Sequence, residues 1–189
     1  MKIALTGGPH GGKTTMLKLY KEANPGIIIV PDTASDFLSQ RVPESVFTSL
    51  DFQKKLTDIR KLKEESFECF AKDKILICDG GLADAAADLS EKEFKKLGGA
   101  NLACLYDAVI FVESAANIST DYFNYISINS RYMFSESILR EQKLLEVWSQ
   151  NPNFYLVKAD ENFLHKYDQF SRTVNTIIFE RRFFYEQLA

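Results

Sequence analysis

Apolar residues gather in five short runs, 3–6, 27–30, 75–78, 108–112 and 154–157, with no polar residue alternating through them. A strand that shows no alternation is covered on both faces, so these runs predict a parallel sheet buried between two layers. The intervals are long enough for crossover helices. Met16, Leu17, Leu19 and Tyr20 predict a helix over 14–23. Phe52, Leu56, Ile59, Leu62, Phe67 and Phe70 predict a long amphipathic helix over 48–71 that packs on the sheet. Ser90 and Glu93 form a capping box with Leu89 and Phe94 as its staple, so a short helix starts there. Ile138, Gln142, Leu145 and Trp148 predict a helix over 135–150, stopped by Asn151-Pro152-Asn153. Phe163, Tyr167, Phe170, Val174 and Ile177 predict the last one. Strands alternating with helices imply a single three-layer α/β domain over 1–189, whose ligands collect where the strands end.

The first of those strand ends carries the strongest chemical signal. Residues Gly7-Gly8-Pro9-His10-Gly11-Gly12-Lys13-Thr14 have the spacing Gly-x-x-x-x-Gly-Lys-Thr, between a strand-like run and a helix-compatible stretch. Successive backbone N–H groups of such a turn, with the positive end of the next helix, make a cradle for phosphates. Gly8, Pro9, His10, Gly11, Gly12, Lys13, Thr14 and Thr15 are therefore the expected nucleotide-binding residues. Lys13 reaches the β- and γ-phosphates and Thr14 places its hydroxyl on Mg²⁺. The His10 side chain reads as a loop-surface histidine. This arrangement defines a P-loop NTPase fold with a five-stranded parallel sheet.

The other strand ends supply acidic residues. Asp32 follows the second run, where a carboxylate can accept the proton of an attacking hydroxyl or cap the next helix; Asp36 is a weaker candidate for the same cleft. Asp79 ends the third run before Gly80-Gly81, the position of an acidic residue that organises Mg²⁺ beside a triphosphate. Asp84 and Asp88 read as solvated helix residues, with contact to substrate or metal the weaker alternative for Asp84. Arg131 and Arg140 lie in 129–140, within a helical lid expected over about 115–150. Arg131 is a catalytic candidate that would meet charge on the phosphate oxygens, and Arg140 a nucleotide-binding one that pairs alternatively with Glu136 or Glu141. The aromatic residues Tyr122, Phe123, Tyr125, Tyr132 and Phe134 pack that lid or stack on a base.

Bulk properties narrow the field. A chain of 189 residues with 46% hydrophobic content fills the core of one domain, and its net charge of −3 with dispersed Lys and Arg speaks against nucleic-acid binding. Cys69, Cys78 and Cys104 lack metal-ligand spacing and are expected as reduced core residues. The absence of a leader-like start or an 18-residue apolar run points to a cytoplasmic protein.

On these residues the chain resembles the NadR-type P-loop family of AAA-type domains, which includes nicotinamide riboside kinase domains and a GTP-binding trafficking protein. The resemblance lies in Leu5-Thr6-Gly7-Gly8-Pro9 with Gly12-Lys13-Thr14-Thr15, in Val30-Pro31-Asp32-Thr33-Ala34, in Asp79-Gly80-Gly81-Leu82 with Asp84, in Tyr106-Asp107, and in Asn129 and Arg131 through Trp148. It departs at Asp32, where the family usually has glutamate, and at Gly80, where it has an arginine; recognition of substrate by that arginine is lost. The resemblance implies ATP or GTP with Mg²⁺ as cofactors, and the lack of an Asn-Lys-x-Asp motif favours ATP. Two functions follow: a kinase that moves the γ-phosphoryl group to a hydroxyl of a nucleoside or ribosylnicotinamide-like acceptor, or a nucleotide-binding regulatory or trafficking protein. A hydrolytic NTPase ranks below both.

Overall fold

A computed structural model describes residues 1–71, 74–127 and 132–188, with side chains as far as Arg181. Strands β1 (Lys2–Gly7), β2 (Ile28–Val30), β3 (Leu76–Asp79), β4 (Ala108–Val112) and β5 (Phe154–Val157) form one parallel sheet in the order β2-β3-β1-β4-β5. The helices are α1 (Lys13–Ala23), α2 (Ala34–Ser39), α3 (Glu44–Phe47), α4 (Leu50–Ala71), α5 (Glu91–Leu97), α6 (Thr120–Ile126), α7 (Phe134–Trp148) and α8 (Phe163–Leu188).

The unalternating runs have the predicted cause. Ile3 and Leu5 of β1, Ile77 of β3 and Ile110 of β4 pack under α1 and α8 with Leu17, Tyr20, Phe170 and Val174. Ala4, Leu76, Cys78, Val109 and Phe111 point the other way, beneath α4, α5 and α7. Each strand is thus apolar on both sides. Ser90 and Glu93 form the expected capping box, and Leu89 and Phe94 are both buried beside it. α8 buries Phe170, Val174 and Ile177 as its spacing predicted.

The helix over 48–71 departs from the expectation. α4 forms, and Leu56 is buried, but Ile59, Leu62 and Phe70 are 43%, 64% and 58% exposed. Its inward stripe is Gln53, Thr57, Arg60 and Glu64. The reason lies in what the stripe meets. Gln53 Nε2 donates to the Phe47 carbonyl, and Glu64 accepts from the Tyr106 hydroxyl at 2.6 Å and pairs with Lys2 at 3.2 Å. The inner face of α7 is mixed too, with Ser137 and Glu141 buried beside Leu144 and Trp148, while Leu145 is 39% exposed. Of the cysteines, all free, Cys78 is buried while Cys69 and Cys104 are exposed, which corrects the expectation of three core residues. Cys69 lies on the outer side of α4 because the polar stripe turns inward.

Tyr106 joins two backbone layers, since its oxygen also accepts the Leu82 N–H at 2.8 Å and its ring meets Trp148 edge-on at 5.4 Å. Burial raises the Glu64 carboxyl above its ordinary range, so the Tyr106 and Lys2 contacts are what keep a charge there. Tyr106→Phe leaves a buried carboxylate oxygen and a buried N–H without their partner. It is expected to cost about 1–3 kcal/mol in urea unfolding, with an unchanged m-value.

Candidate functional site

The glycine-rich loop is held at the centre of the sheet, between the ends of β1 and β4. Gly12 takes φ 83° as it opens α1, and His10 also sits in left-handed backbone at φ 57°. Lys13 lies folded across the loop, its ammonium donating to the Gly7 and Gly8 carbonyls at 3.0 and 2.7 Å. Burial lowers its pKa while Asp79, Asp84 and Glu141 oppose the shift. The His10 ring packs edge-on against Phe123 at 5.5 Å, so it is a fixed wall of the loop rather than a loose surface group.

Thr14 and Asp79, the two residues expected to hold Mg²⁺, lie side by side, the Thr14 hydroxyl donating to Asp79 Oδ2 at 2.8 Å. Burial raises the Asp79 carboxyl, and Thr14 and Lys13 restrain that rise. Two hard oxygen groups beside the phosphate cradle fit a Mg²⁺ ion completed by phosphate and water oxygens. Among the described residues no three His, Cys, Asp or Glu side chains form a metal cluster of their own.

A cavity of about 580 Å³ begins at this pair and runs under α2, α4 and α7. Lys13, Thr14, Asp32, Asp79, Arg60 and Arg140 all line it. Asp32 opens α2, accepting the Ala34 and Ser35 N–H groups at 3.1 and 2.9 Å, and also Arg60 NH2 at 3.1 Å. Cap and cleft residue are therefore one. Asp36 lines the cavity from the exposed side of α2.

Two aspartates expected in solvent are structural anchors. Asp84 accepts from the Thr6 hydroxyl at 2.6 Å, from Trp148 Nε1 at 2.9 Å and from the Gly81 N–H at 2.9 Å. Asp88 holds Arg140 in a two-bond fork at 2.6 and 3.1 Å. Arg140 therefore pairs with neither Glu136 nor Glu141 among its described contacts, and its guanidinium lies 4.3 Å from the Tyr132 ring centre. The turn of residues Leu82–Ala87, rich in small buried alanines, lets α7 come close enough for both contacts. Of the aromatic residues, Phe123 is buried, whereas Tyr125 is 77% exposed. Arg131 and Asn129 lie outside the described residues.

Three further residues belong to the site and escaped the sequence reading. Glu141 accepts the Ser114 N–H at 3.0 Å and the Asn117 side-chain amide at 2.6 Å, tying α7 to the segment after β4. A side chain at Gly8 would overlap Glu141 Oε2, so the carboxylate touches the back of the phosphate loop. Burial raises its pKa. Lys166 is 4% exposed and donates to the Glu113 carbonyl at 2.7 Å beneath Gly11. Arg60 reaches the cleft from α4. The only signal for each was a charged residue inside an otherwise helical apolar pattern, which a surface residue also produces.

A family model described as AAA domain matches residues 2–147, well over half the chain. The chain belongs to the AAA-domain family. Two solved structures of deoxyadenosine kinase from M. mycoides resemble this AAA-domain chain, one with the products dCMP and a flexible dCDP bound, the other with bound dATP. Both have a TM-score of 0.65 and cover 93% of this chain and 100% of theirs, at 14% and 15% identity. At that identity the likeness is one of fold, and it agrees with the five-stranded P-loop architecture of this AAA domain. A search of curated sequences finds no match. No described helix is long and apolar enough to cross a membrane.

Lys166 offers a pH signature of this site. Burial pushes its ammonium down to about 8 from an ordinary 10.5, and Lys13 adds to the shift. Between those values the unfolded chain binds more protons than the folded one, so stability rises with pH across that window. Below about pH 8 both states are charged and the burial penalty is complete. Relative to Lys166→Met, the wild type is expected to gain roughly 1–3 kcal/mol from pH 8 to 10.5 in paired urea titrations.

Proposed function

We propose that this chain is an ATP-dependent small-molecule kinase that transfers the γ-phosphoryl group to a hydroxyl of a nucleoside or ribosylnicotinamide-like acceptor. One observation carries the reading: a single cavity joins Lys13, Thr14 and Asp79 to Asp32. The first three suit a triphosphate, and the last suits an acceptor hydroxyl. The cavity wall combines apolar Ile29, Leu38, Phe47 and Leu56 with polar Gln53 and Asp88, the mixture a flat heterocycle joined to a sugar requires.

Transfer proceeds in this reading by positioning and charge. Backbone N–H groups of 8–15 and the Lys13 ammonium bind the phosphates. Asp32 accepts the acceptor proton, and Arg131 neutralises charge on the moving phosphoryl group. Mg²⁺, when bound at Thr14 and Asp79, supplies electrostatic stabilisation of the phosphate oxygens. The relatives in the fold comparison, named for a nucleoside kinase activity and seen with nucleotides, support this class of reaction.

A second reading, a nucleotide-dependent regulator, is favoured by Glu141. It links the phosphate loop to α7, so a loop that rearranges around nucleotide would move the helix.

Product formation from ATP–Mg²⁺ with a panel of nucleosides and nicotinamide riboside tests the proposal. An acceptor phosphorylated by the wild type is expected; tight ATP binding with no acceptor turned over would favour the regulator. Asp32→Asn is expected to keep ATP affinity within about two-fold by calorimetry and to lower transfer by at least ~10²-fold.

A further inference from the structure

Arg60 is a buried charged group at the wall of the cleft. Its side chain is 8% exposed, it lines the same cavity as Lys13 and Asp79, and carboxylates face it on two sides. NH1 donates to the Gly81 carbonyl at 2.5 Å and lies 3.8 Å from Asp84 Oδ2, while NH2 donates to Asp32 Oδ1 at 3.1 Å. Its Nε is buried with no hydrogen-bond partner. Such a group is costly unless its partners are fixed.

Gly80 lies beside the guanidinium and its two carboxylates. At φ 84° that residue takes a conformation side chains avoid, and a Cβ there would stand 2.8 Å from Asp84 Oδ2, 3.4 Å from Arg60 NH2 and 3.5 Å from Asp32 Oδ1. A side chain at position 80 would press on the Asp84 carboxylate and come into contact with Arg60 and Asp32.

The consequence falls on Asp32. A carboxylate has about four acceptor positions. Oδ1 is occupied by the Ala34 N–H and by Arg60, and Oδ2 by the Ser35 N–H alone. One acceptor position, on Oδ2, is left over. We propose that Arg60 is the positioning residue for Asp32: it locks Oδ1 so that the remaining Oδ2 position meets the acceptor hydroxyl.

This rests on the phosphotransfer reading above. In that step the acceptor oxygen forms a bond to the γ-phosphorus, the bond from γ-phosphorus to the bridging oxygen breaks, ADP leaves with the electron pair, and the hydroxyl proton passes to Oδ2. Arg60 touches none of the reacting atoms. Its guanidinium also stands between the carboxylates of Asp32 and Asp84.

A double-mutant cycle with a direct view of Asp32 tests the inference. Arg60→Gln is expected to lower kcat by at least ~30-fold with KM for ATP changed less than about two-fold, as loss of orientation rather than of nucleotide binding. In the Asp32→Asn background the same change is expected to cost less than about two-fold, because a residue that acts through Asp32 has nothing left to position. Equal losses in both backgrounds overturn the proposal. Arg60→Lys, which keeps the charge and fills the stem, is expected to recover part of kcat and guards against a Gln variant that does not fold.

Three-bond NMR couplings of Asp32 give a readout that needs no turnover. One χ1 rotamer is expected in the wild type, and averaging over rotamers in Arg60→Gln and, to a lesser degree, in Arg60→Lys. An Asp32 rotamer indifferent to both substitutions overturns the positioning role, whatever the activity. A wild type that phosphorylates no acceptor removes the kinase reading, and the couplings still decide whether Arg60 holds Asp32.

Discussion

A guanidinium buried under the cleft must be surrounded by oxygen acceptors, and much of this structure is the consequence of placing Arg60 there. Burial opposes its charge, and the Asp84 and Asp32 carboxylates more than restore it, so its pKa lies above the ordinary arginine value. Satisfying that one group brings Asp32, at the head of α2, and Asp84 to opposite sides of it, beside Gly80. It also explains a helix whose polar stripe faces the protein. α4 runs from Gln53 at the cavity, through Arg60, to Glu64 on Lys2 and Tyr106 at the far end of the sheet. Turning the helix so that Ile59 and Leu62 were buried would strand three polar partners in the interior, at more cost than two half-exposed aliphatic side chains.

Asp84 is the counterpart of this arrangement. It gathers the Thr6 hydroxyl from β1, the Gly81 N–H from its own turn and the Trp148 indole from the end of α7. The strand that delivers the phosphate loop is thereby tied to the turn after β3 and to the helix that covers the cleft. Glu141, two turns earlier on the same face of α7, reaches the phosphate loop from behind, and Arg140 reaches Asp88. A single helix thus contacts both the phosphate loop and the Asp88 side of the cavity, which gives the kinase and regulator readings a shared physical basis.

What could be read from the chain divides along a physical line. The unalternating runs at 3–6 and 108–112 announced strands covered on both faces, because an apolar side chain carries the same preference wherever the sheet lies. The phosphate loop was legible for a similar reason: its function is performed by backbone, and glycine spacing reports backbone conformation directly. Asp79 and Asp32 were legible because a parallel sheet sends its strand ends to one edge. Asp84, Asp88, Arg60, Glu141 and Lys166 were not. A charged residue inside a helical pattern looks the same whether it faces water or a buried partner, and the partner here lies 20 or more residues away in the chain for each pairing that mattered, Arg60 with Asp32 and Arg140 with Asp88 among them.

The chain alone therefore determined the layers, the strand ends and the nucleotide cradle, all of which follow from local periodicity and backbone preference. Only the tertiary structure decided which charges are inside. An ion pair depends on the distance between two side chains and on the solvent around them, and neither exists until helices α4 and α7 settle over the sheet. At Gly80 the two levels meet: the sequence showed a glycine at the strand end, and the fold brings the Arg60 guanidinium from α4 beside it.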